Sequence, residues 1–326
     1  DILQDDKDYL SYSAINKNNE ELKTATSGGV SNELMKACIN NNYKVVGVAY
    51  DYKKDIAVTR IASQIDELEQ FKGSKYFQSY TIDAFKEILK DKSEQKYAVF
   101  GTPCQIYALR KYLENVKKRE KFLLVDIFCH GCPSLNLWKK YLDGKKQDLN
   151  IKEFDKIDFR SKVYGWHEYA ITFHNDNNEY YSKKLNDPFY EIFFDKNVFN
   201  EACYECKIRS TFRYTDIRIG DFWGYQYDNN RKGVSAVVIA SEIGKELFKG
   251  ITNRFYLKEY KISDIVAGQS YGKIHSYNKD IRNKTLSDLS SNDNIEKVYI
   301  RYIKNYPLKK KLKKVAKNII KRLPSK

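Results

Sequence analysis

The 326-residue chain carries 58 Lys and Arg against 43 Asp and Glu, which gives a formal net charge of +15, and 42% of its residues are apolar. The aromatic content of 14% is typical of a folded protein and argues against general disorder. No run of about 18 apolar residues occurs, and residues 1–6 show neither a basic leader nor an apolar stretch. We therefore expect neither a membrane span nor a secretion signal. The chain starts without Met, which is typical of a piece whose upstream part has been removed.

Apolar periodicity in the first half alternates between helix and strand. The spacing predicts helices over residues 27–42, 82–89, 106–112 and 135–142, and mostly apolar strands over residues 43–50, 97–100 and 122–128. Strands that alternate with helices indicate βαβ units. We therefore predict an α/β fold with a partly parallel sheet.

The second half follows a different pattern. Residues 169–173 and 179–181 flank a polar turn at 174–178 and predict a β-hairpin, residues 216–221 and 234–240 predict further strands, and residues 242–249 predict a helix. This mixed α+β region is less regular and carries cysteines. We place a domain boundary near residue 150, which gives units at 1–150 and 151–300 and a C-terminal tail at 301–326.

The tail holds most of the excess charge, because residues 309–326 contain nine basic residues and no acid. Its apolar residues recur on one helical face: Leu308, Leu312, Val315, Ala316, Ile319, Ile320 and Leu323. This pattern is typical of a cationic amphipathic helix that lies on an anionic membrane surface, although it also suits docking onto the protein's own body. We do not expect nucleic-acid binding, because no recognised RNA- or DNA-binding motif accompanies the charge.

Two C-x-x-C pairs carry the clearest chemical signal: Cys129 with Cys132, and Cys203 with Cys206. In a chain without a secretion signal, such pairs are typically metal ligands or redox dithiols rather than structural disulfides. An iron–sulfur cluster, a structural zinc ion, a redox dithiol and unrelated buried cysteines all stay open here. The 70 residues between the pairs exceed the spacing of compact zinc ribbons. Cys38 lies in a predicted helix among apolar residues and is interpreted as a buried small hydrophobe.

Cys104 follows a predicted strand and the turn Gly101-Thr102-Pro103, in which Pro103 suits the first position of a helix. A cysteine in the first turn of a helix faces free backbone N–H groups, which favour the thiolate. Cys129 follows the next strand, and neighbouring parallel strands end at the same edge of a sheet, where such sheets place their ligands. The topology therefore predicts that Cys104 and Cys129 converge.

Seven short sequence motifs, taken together and in order, are specific for one protein family. They are TSGGV at 26–30, KGSKY at 72–76, GTPCQ at 101–105, DIFCHG at 126–131, FRSKVYGW at 159–166, CYEC at 203–206 and DIRIGDFWG at 216–224. Over residues 10–275, this set resembles the family of coenzyme F-420 hydrogenase/dehydrogenase beta subunits. Members of that family typically hold FAD and a four-iron cluster, and often carry a ferredoxin-like segment upstream. The resemblance implies the same cofactors for this chain, and the missing start fits the loss of such a segment.

By resemblance, the metal ligands are Cys104, Cys129, Cys203 and Cys206. The family motif usually has an apolar residue where this chain has Cys132, so Cys132 is a departure: a spare ligand, or a substitute for Cys129. The resemblance also implies FAD-binding residues in both halves of the motif set: Ser27, Gly28, Gly29, Lys72, Gly73, Ser74, Lys75, Gly101, Thr102 and Asp221. Ser27 to Gly29 precede a helix, where backbone N–H groups can approach a phosphate. A flavin over the Gly101 edge would lie near the cluster.

His130, beside Cys129, is the one candidate catalytic residue, as a group that tunes the cluster by hydrogen bonding or acts as an acid; a structural role is the alternative. Asp221, with Trp223, is expected to organise a buried polar turn near the cofactor. No Ser-His-Asp set or pair of carboxylates indicates a hydrolase.

The expected function is a cytoplasmic iron–sulfur flavoprotein oxidoreductase, peripheral at the inner face of the membrane if the tail binds lipid. FAD exchanges a hydride with a small molecule, for which the family name implies a deazaflavin, and a [4Fe-4S] cluster passes single electrons to a ferredoxin-like domain or protein. The alternative from another class is a zinc-stabilised binding or scaffold module without catalytic activity.

Overall fold

The computed structural model describes residues 9–176 and 178–306. Twelve strands occur in this part of the chain: β1 Leu10–Asn16, β2 Tyr43–Asp51, β3 Ile56–Ala62, β4 Ser79–Tyr80, β5 Lys96–Gly101, β6 Phe122–Ile127, β7 Lys156–Ser161, β8 Ala170–Asn175, β9 Asn178–Lys183, β10 Ile217–Asp221, β11 Ser235–Ile239 and β12 Phe255–Glu259. Ten α-helices accompany them: α1 Asn19–Thr24, α2 Val30–Asn40, α3 Ile82–Lys90, α4 Pro103–Asn115, α5 Leu135–Leu149, α6 Pro188–Phe194, α7 Glu242–Lys249, α8 Ile262–Ala267, α9 Lys279–Ser290 and α10 Ile295–Lys304.

The largest element is a nine-stranded sheet with the order β12-β1-β11-β10-β6-β5-β2-β3-β4. Its centre is parallel, because β10, β6, β5 and β2 run in the same direction, whereas β1, β11 and β12 pair antiparallel on one side. The central strands are nearly continuous apolar runs, as expected for strands covered on both faces. The predicted α/β class with a partly parallel sheet is confirmed.

Helices cover both faces of this sheet. Consecutive strand residues alternate between two apolar clusters, since Val45 packs with α2 and α7 while Val46 packs with α3 and α4. The prediction for Cys38 is confirmed, because it lies fully buried in α2. That helix starts at Val30 rather than at residue 27, because Gly29 adopts φ +87°, outside the helical region.

A second layer contains the antiparallel sheet β7-β8-β9. It packs with α5, α6, α9 and α10 around an aromatic cluster that includes Trp138, Phe159 and Phe189. The predicted hairpin is β8 with β9, and its connection is shorter than expected, because Asn175 pairs directly with Asn178.

Strands from both sides of residue 150 build the large sheet, since β10 and β11 lie between β6 and β1. Residue 150 follows the end of α5, where the chain leaves the large sheet for the second layer. The units 1–150, 151–300 and 301–326 stay a prediction. The predicted amphipathic stripe at 308–323 lies outside the described residues. Among the described residues, no helix combines the length and apolar character needed to span a bilayer.

One buried ion pair joins the two halves of the sheet. Arg218 on β10 lies opposite Asp126 on β6, and its Nε and Nη2 donate to the carboxylate at 2.7 and 2.6 Å. Both side chains are only 1% exposed. The pair is therefore shielded from water.

We expect Arg218→Met to lower the free energy of unfolding by about 3–5 kcal/mol, because it leaves a buried carboxylate without its partner. The matched control is Arg110→Met, which breaks the surface pair with Glu114 and should cost less than about 1 kcal/mol. Urea denaturation measures both values. Adding Asp126→Leu to Arg218→Met should recover much of the loss, and equal costs for Arg218→Met and Arg110→Met would contradict the prediction.

Candidate cofactor site at the carboxyl edge of the sheet

Cys104 and Cys129 lie at the same edge of the large sheet. Strands β5 and β6 pair in parallel, with Gly101 opposite Asp126, so both strands end there. Cys104 is the second residue of α4, directly after β5, and Cys129 follows the end of β6 by two residues. The charge of Cys104 raises the pKa of Cys129, so the two thiols are close. The predicted convergence of these two cysteines is confirmed.

The two C-x-x-C segments are tied together by backbone hydrogen bonds. The N–H of Asn200 donates to the carbonyl of Cys132 at 2.9 Å, and the N–H of Ser134 donates to Val198 at 2.8 Å. The N–H of Cys132 also donates to the thiol of Cys203. These contacts close the 70-residue gap between the pairs.

Gly131 permits this close approach. Its φ is +140°, and a Cβ at this position would lie 2.2 Å from the ring of Phe199. The His-Gly step inside the first C-x-x-C pair therefore lets the two cysteine segments pack against each other.

The thiols at this site are neighbours: Cys104, Cys132 and Cys203 raise the pKa of Cys129, and Cys104 and Cys206 raise the pKa of Cys203. Burial raises the pKa of Cys129 and of Cys132 to about 12, and neighbouring thiols contribute to the rise in both. Burial also raises the pKa of Cys203. In the described part of the chain, no three His, Cys, Asp or Glu side chains are arranged as a metal-ligand group. The site thus gathers thiols whose ionisation needs a nearby positive charge, such as a metal.

Cys104 differs from the other four, because it is exposed. The hydroxyl of Thr102 lies 3.2 Å from its sulfur. Thr102 itself caps α4, since its N–H donates to Gln105 Oε1 at 3.0 Å. Thr102 therefore acts on the cysteine directly, while Gly101 forms the end of β5.

His130 is enclosed by aromatic rings, with Phe193, Phe199 and His275 packed around it. Its Nδ1 lies 3.0 Å from the hydroxyl of Ser270, and its Nε2 is buried without a hydrogen-bond partner among the described residues. Burial lowers the pKa of His130 to about 3, with further contributions from nearby cations. The ring is therefore neutral near pH 7, and its catalytic role stays a prediction.

The predicted glycine loop is held by the second half of the chain. The hydroxyl of Ser27 donates to the carbonyl of Val234 at 2.7 Å, and the N–H of Gly28 donates to Ser235 Oγ at 2.9 Å. The amide of Gly28 is therefore already engaged, whereas Gly29 leads directly into α2. Asn16, which the sequence analysis missed, has a buried Nδ2 without a described partner, 3.2 Å from where a Cβ on Gly29 would lie.

The segment from Lys72 to Lys75 is not arranged as a free cationic patch. The amine of Lys72 contacts Glu69 at 2.8 Å and Thr24 at 3.3 Å. The amine of Lys75 donates to the carbonyls of Gln70, Phe71 and Lys72, and burial lowers its pKa to about 7. In this arrangement Lys75 holds its own loop together. Gly73 and Ser74 connect the two lysines, and the FAD-binding role of all four residues stays a prediction.

Asp221 organises a buried polar turn. Its carboxylate accepts a hydrogen bond from Trp166 Nε1 at 2.7 Å and pairs with the guanidinium of Arg160, and its carbonyl accepts from Gln269 at 2.5 Å. Trp166 stacks on Trp223, with ring centroids 4.9 Å apart. The turn is therefore built as expected, while its place beside a flavin stays a prediction.

Arg160 is the partner that the sequence analysis did not single out. Its guanidinium lies between the rings of Tyr169 and Trp223, at 4.4 and 4.8 Å from their centroids. Its Nε and Nη2 are buried and have no hydrogen-bond partner among the described residues. Lys162, two residues along, donates to the carbonyls of Leu22 and Ser27. Arg160 and Lys162 both belong to the FRSK motif at residues 159–162, so the sequence contained a signal for them. Only the fold shows that this end of β7 reaches the glycine loop.

A sequence model of one protein family matches residues 94–265, and it describes the C terminus of the beta subunit of coenzyme F420 hydrogenase/dehydrogenase. The match covers more than half of the chain and includes all five clustered cysteines. The chain belongs to this family. The family match supports an oxidoreductase-related role. The glycine loop and the segment from Lys72 to Lys75 lie before the matched region.

Two curated relatives carry related names. The F subunit of F(420)H(2) dehydrogenase from Methanosarcina mazei is 22% identical over 234 residues, which are 71% of this chain and 60% of that protein. The beta subunit of coenzyme F420 hydrogenase from Methanococcus voltae is 28% identical over 115 residues, which are 34% of this chain and 41% of that protein. The chain thus spans about 60% or less of the length of these family members.

A solved structure shows the same fold. A chain of the F420-reducing [NiFe] hydrogenase complex from Methanosarcina barkeri superposes with a TM-score of 0.55 at 18% identity. The superposition covers 90% of this chain and 89% of that chain. The shared fold therefore extends beyond the region matched by the family model.

We expect Asp221→Ala to lower the free energy of unfolding by about 3–5 kcal/mol, because it leaves the buried guanidinium of Arg160 without a carboxylate. The tryptophan fluorescence should also change, since the indole of Trp166 loses its hydrogen-bond acceptor. Urea denaturation followed by tryptophan emission measures both effects. Asp228→Ala, at an exposed turn, is the control and should leave both unchanged. A wild-type emission spectrum and midpoint for Asp221→Ala would contradict this interpretation.

Proposed function

We propose that this chain is the flavin- and iron–sulfur-containing part of an oxidoreductase. The observation that carries the proposal is that Cys104, Cys129, Cys132 and Cys203 lie near one another at the carboxyl edge of a parallel sheet, with Cys206 beside Cys203, in a member of this family. The hydride carrier would be a deazaflavin of the kind named in the relatives, and the electron partner a ferredoxin-like domain or protein. We place this activity in the cytoplasm, with the C-terminal tail as the contact to an anionic membrane surface.

The proposed cluster ligands are Cys104, Cys129, Cys203 and Cys206. The donor set fits an iron–sulfur cluster, because thiolates are its usual ligands. Cys104 and Cys203 both raise the pKa of Cys129, and Cys206 raises the pKa of Cys203. Cys132 lies in the same group, so it is the substitute ligand if Cys129 does not bind. Within the chain, α4 presents Cys104 from its first turn, and Thr102 offers a hydroxyl to its sulfur.

The proposed flavin site combines the glycine loop, the segment from Lys72 to Lys75, the turn at Gly101 and Thr102, and Asp221. FAD, when bound, supplies the conversion between a two-electron hydride and single electrons. The chain contributes the first turn of α2 for a phosphate, the unpartnered amide of Asn16 beside it, and the unpartnered donors of Arg160. Buried donors without partners are rare, and a ligand with several acceptor oxygens would satisfy them.

A zinc site is the second candidate, because the two C-x-x-C segments are joined by direct hydrogen bonds. Zinc would take four thiolates from Cys129, Cys132, Cys203 and Cys206. This arrangement leaves out Cys104, whereas the proposed cluster needs it. The two candidates therefore depend on different cysteines.

We expect the full chain, purified without oxygen or reconstituted with iron and sulfide, to contain about four iron and four sulfide ions. Cys104→Ser should lose most of this iron, because it removes a proposed ligand, and Cys132→Ser should keep it. Iron, sulfide and zinc analysis together with the visible spectrum measures the outcome. Cys38→Ser, in the core of α2, is the matched control and should retain the cluster. A different result would favour the zinc site over the cluster: one zinc ion per chain that Cys104→Ser retains and Cys132→Ser loses.

We expect Gly29→Ala to weaken FAD binding by about tenfold. A side chain at φ +87° costs about 1–2 kcal/mol, which would move the loop away from the phosphate. Analysis of released flavin and titration with FAD measure the change, and the iron content should not change. Gly272→Ala imposes similar strain at φ +68°, with no atom within 4 Å of the added Cβ, and should retain FAD. Equal FAD affinity in both variants would count against the glycine loop as the flavin site.

A further inference from the structure

Arg209 bridges the two cysteine segments. It lies in the short 3-10 helix Ile208–Ser210 and is only 4% exposed. Its Nη2 donates to the carbonyl of Cys203 at 2.9 Å, and its Nη1 lies 3.5 Å from the carbonyl of His130. Both contacts are to backbone, so a buried positive charge lies directly beside the thiols.

No carboxylate among the described residues forms an ion pair with this charge. The buried acid Asp126 is already paired through both oxygens with Arg218. Arg218 in turn donates to the carbonyl of Arg209 at 2.9 Å and so fixes its backbone. The Nε of Arg209 is buried without a hydrogen-bond partner in the described part of the chain. A buried cation without an anion is unfavourable, so the arrangement favours a negative group nearby.

Two lysines, Lys196 and Lys273, add positive charge near Arg209. The pKa of Lys196 is lowered by burial and then by the charges of Arg209 and Lys273, which shows that the three cations are close. Lys273 donates to a backbone carbonyl at 3.1 Å, and neither lysine forms an ion pair with a described carboxylate. Arg209 therefore lies beside Cys203, and the two lysines lie near Arg209.

We propose that Arg209 is a positioning residue that raises the reduction potential of the cluster bound by these cysteines, with a smaller contribution from Lys196 and Lys273. This inference rests on the proposed function. Thiolate ligands make the cluster anionic, and its reduction adds one further negative charge. A fixed cation at short range in a buried site stabilises the reduced form more than the oxidised form. Arg209 also holds the Cys203 segment beside the His130 segment through its two backbone contacts.

The test is a redox titration of the reconstituted full chain with dithionite, followed by electron paramagnetic resonance. Arg209→Gln should lower the ratio of reduced to oxidised cluster at a fixed solution potential by about tenfold, which for one electron is about 59 mV. Arg209→Lys keeps the charge and should change that ratio by less than about threefold. Lys245→Gln, on the surface of α7, is the control and should not change it.

An intact cluster in Arg209→Gln with the wild-type potential would overturn the inference. So would an equal drop in Arg209→Lys and Arg209→Gln, because a purely structural role does not distinguish the charge. If Arg209→Gln binds no iron, the double variant Lys196→Gln, Lys273→Gln decides: a ratio lowered by about threefold supports the inference, and an unchanged ratio overturns it. Absence of iron and sulfide from the wild-type chain is a different result, which removes the proposed function itself.

Discussion

The parallel pairing of β5 with β6 is the constraint on which the rest of the site depends. Because Gly101 lies opposite Asp126, the two strands end together, and the residues that follow them, Cys104 and Cys129, lie at the same edge. Strand β10 extends this parallel block and brings Arg218 against Asp126 in the sheet interior. The ion pair fixes the register of β10 against β6, and Arg218 also holds the backbone of Arg209. One strand arrangement thus places both the thiols and their charged neighbour.

The two halves of the chain contribute jointly to the proposed cofactor site. The glycine loop belongs to the first half, yet its hydrogen bonds go to Val234 and Ser235 on the second. Lys162 reinforces this link through the carbonyl of Ser27. A site assembled from several distant segments has few internal contacts within any one of them, so tertiary packing holds it together.

The charge distribution near the thiols is the strongest energetic argument for an anionic group at this edge. Arg209 and Lys196 lie close together, and neither forms an ion pair with a described carboxylate, while Cys129 and Cys132 have pKa values raised to about 12 by burial. By itself, this arrangement combines unneutralised cations with thiols that do not ionise near pH 7. A bound metal cluster would reverse both effects, because the metal favours the thiolates and the thiolates neutralise the cations.

The local elements and the approach of Cys104 to Cys129 could be predicted from the sequence. Periodicity identifies β2, β5, β6 and α4, because each depends on residues that are neighbours along the chain. Neighbouring parallel strands end at the same edge of a sheet, which brings together the residues that follow them. The family resemblance also selected the four proposed ligands, although the spacing of the cysteines left zinc and a dithiol open.

Contacts between side chains that are distant along the chain could not be predicted from the sequence. Arg160 pairs with Asp221 across 61 positions, and Arg209 reaches the carbonyl of His130 across 79. Lys75, which the resemblance implies as an FAD-binding residue, donates to three carbonyls of its own loop. Such contacts have no periodic signature, because they depend on the packing of one element against another. The sequence therefore indicates the chemistry of the site, and the fold determines its charge balance.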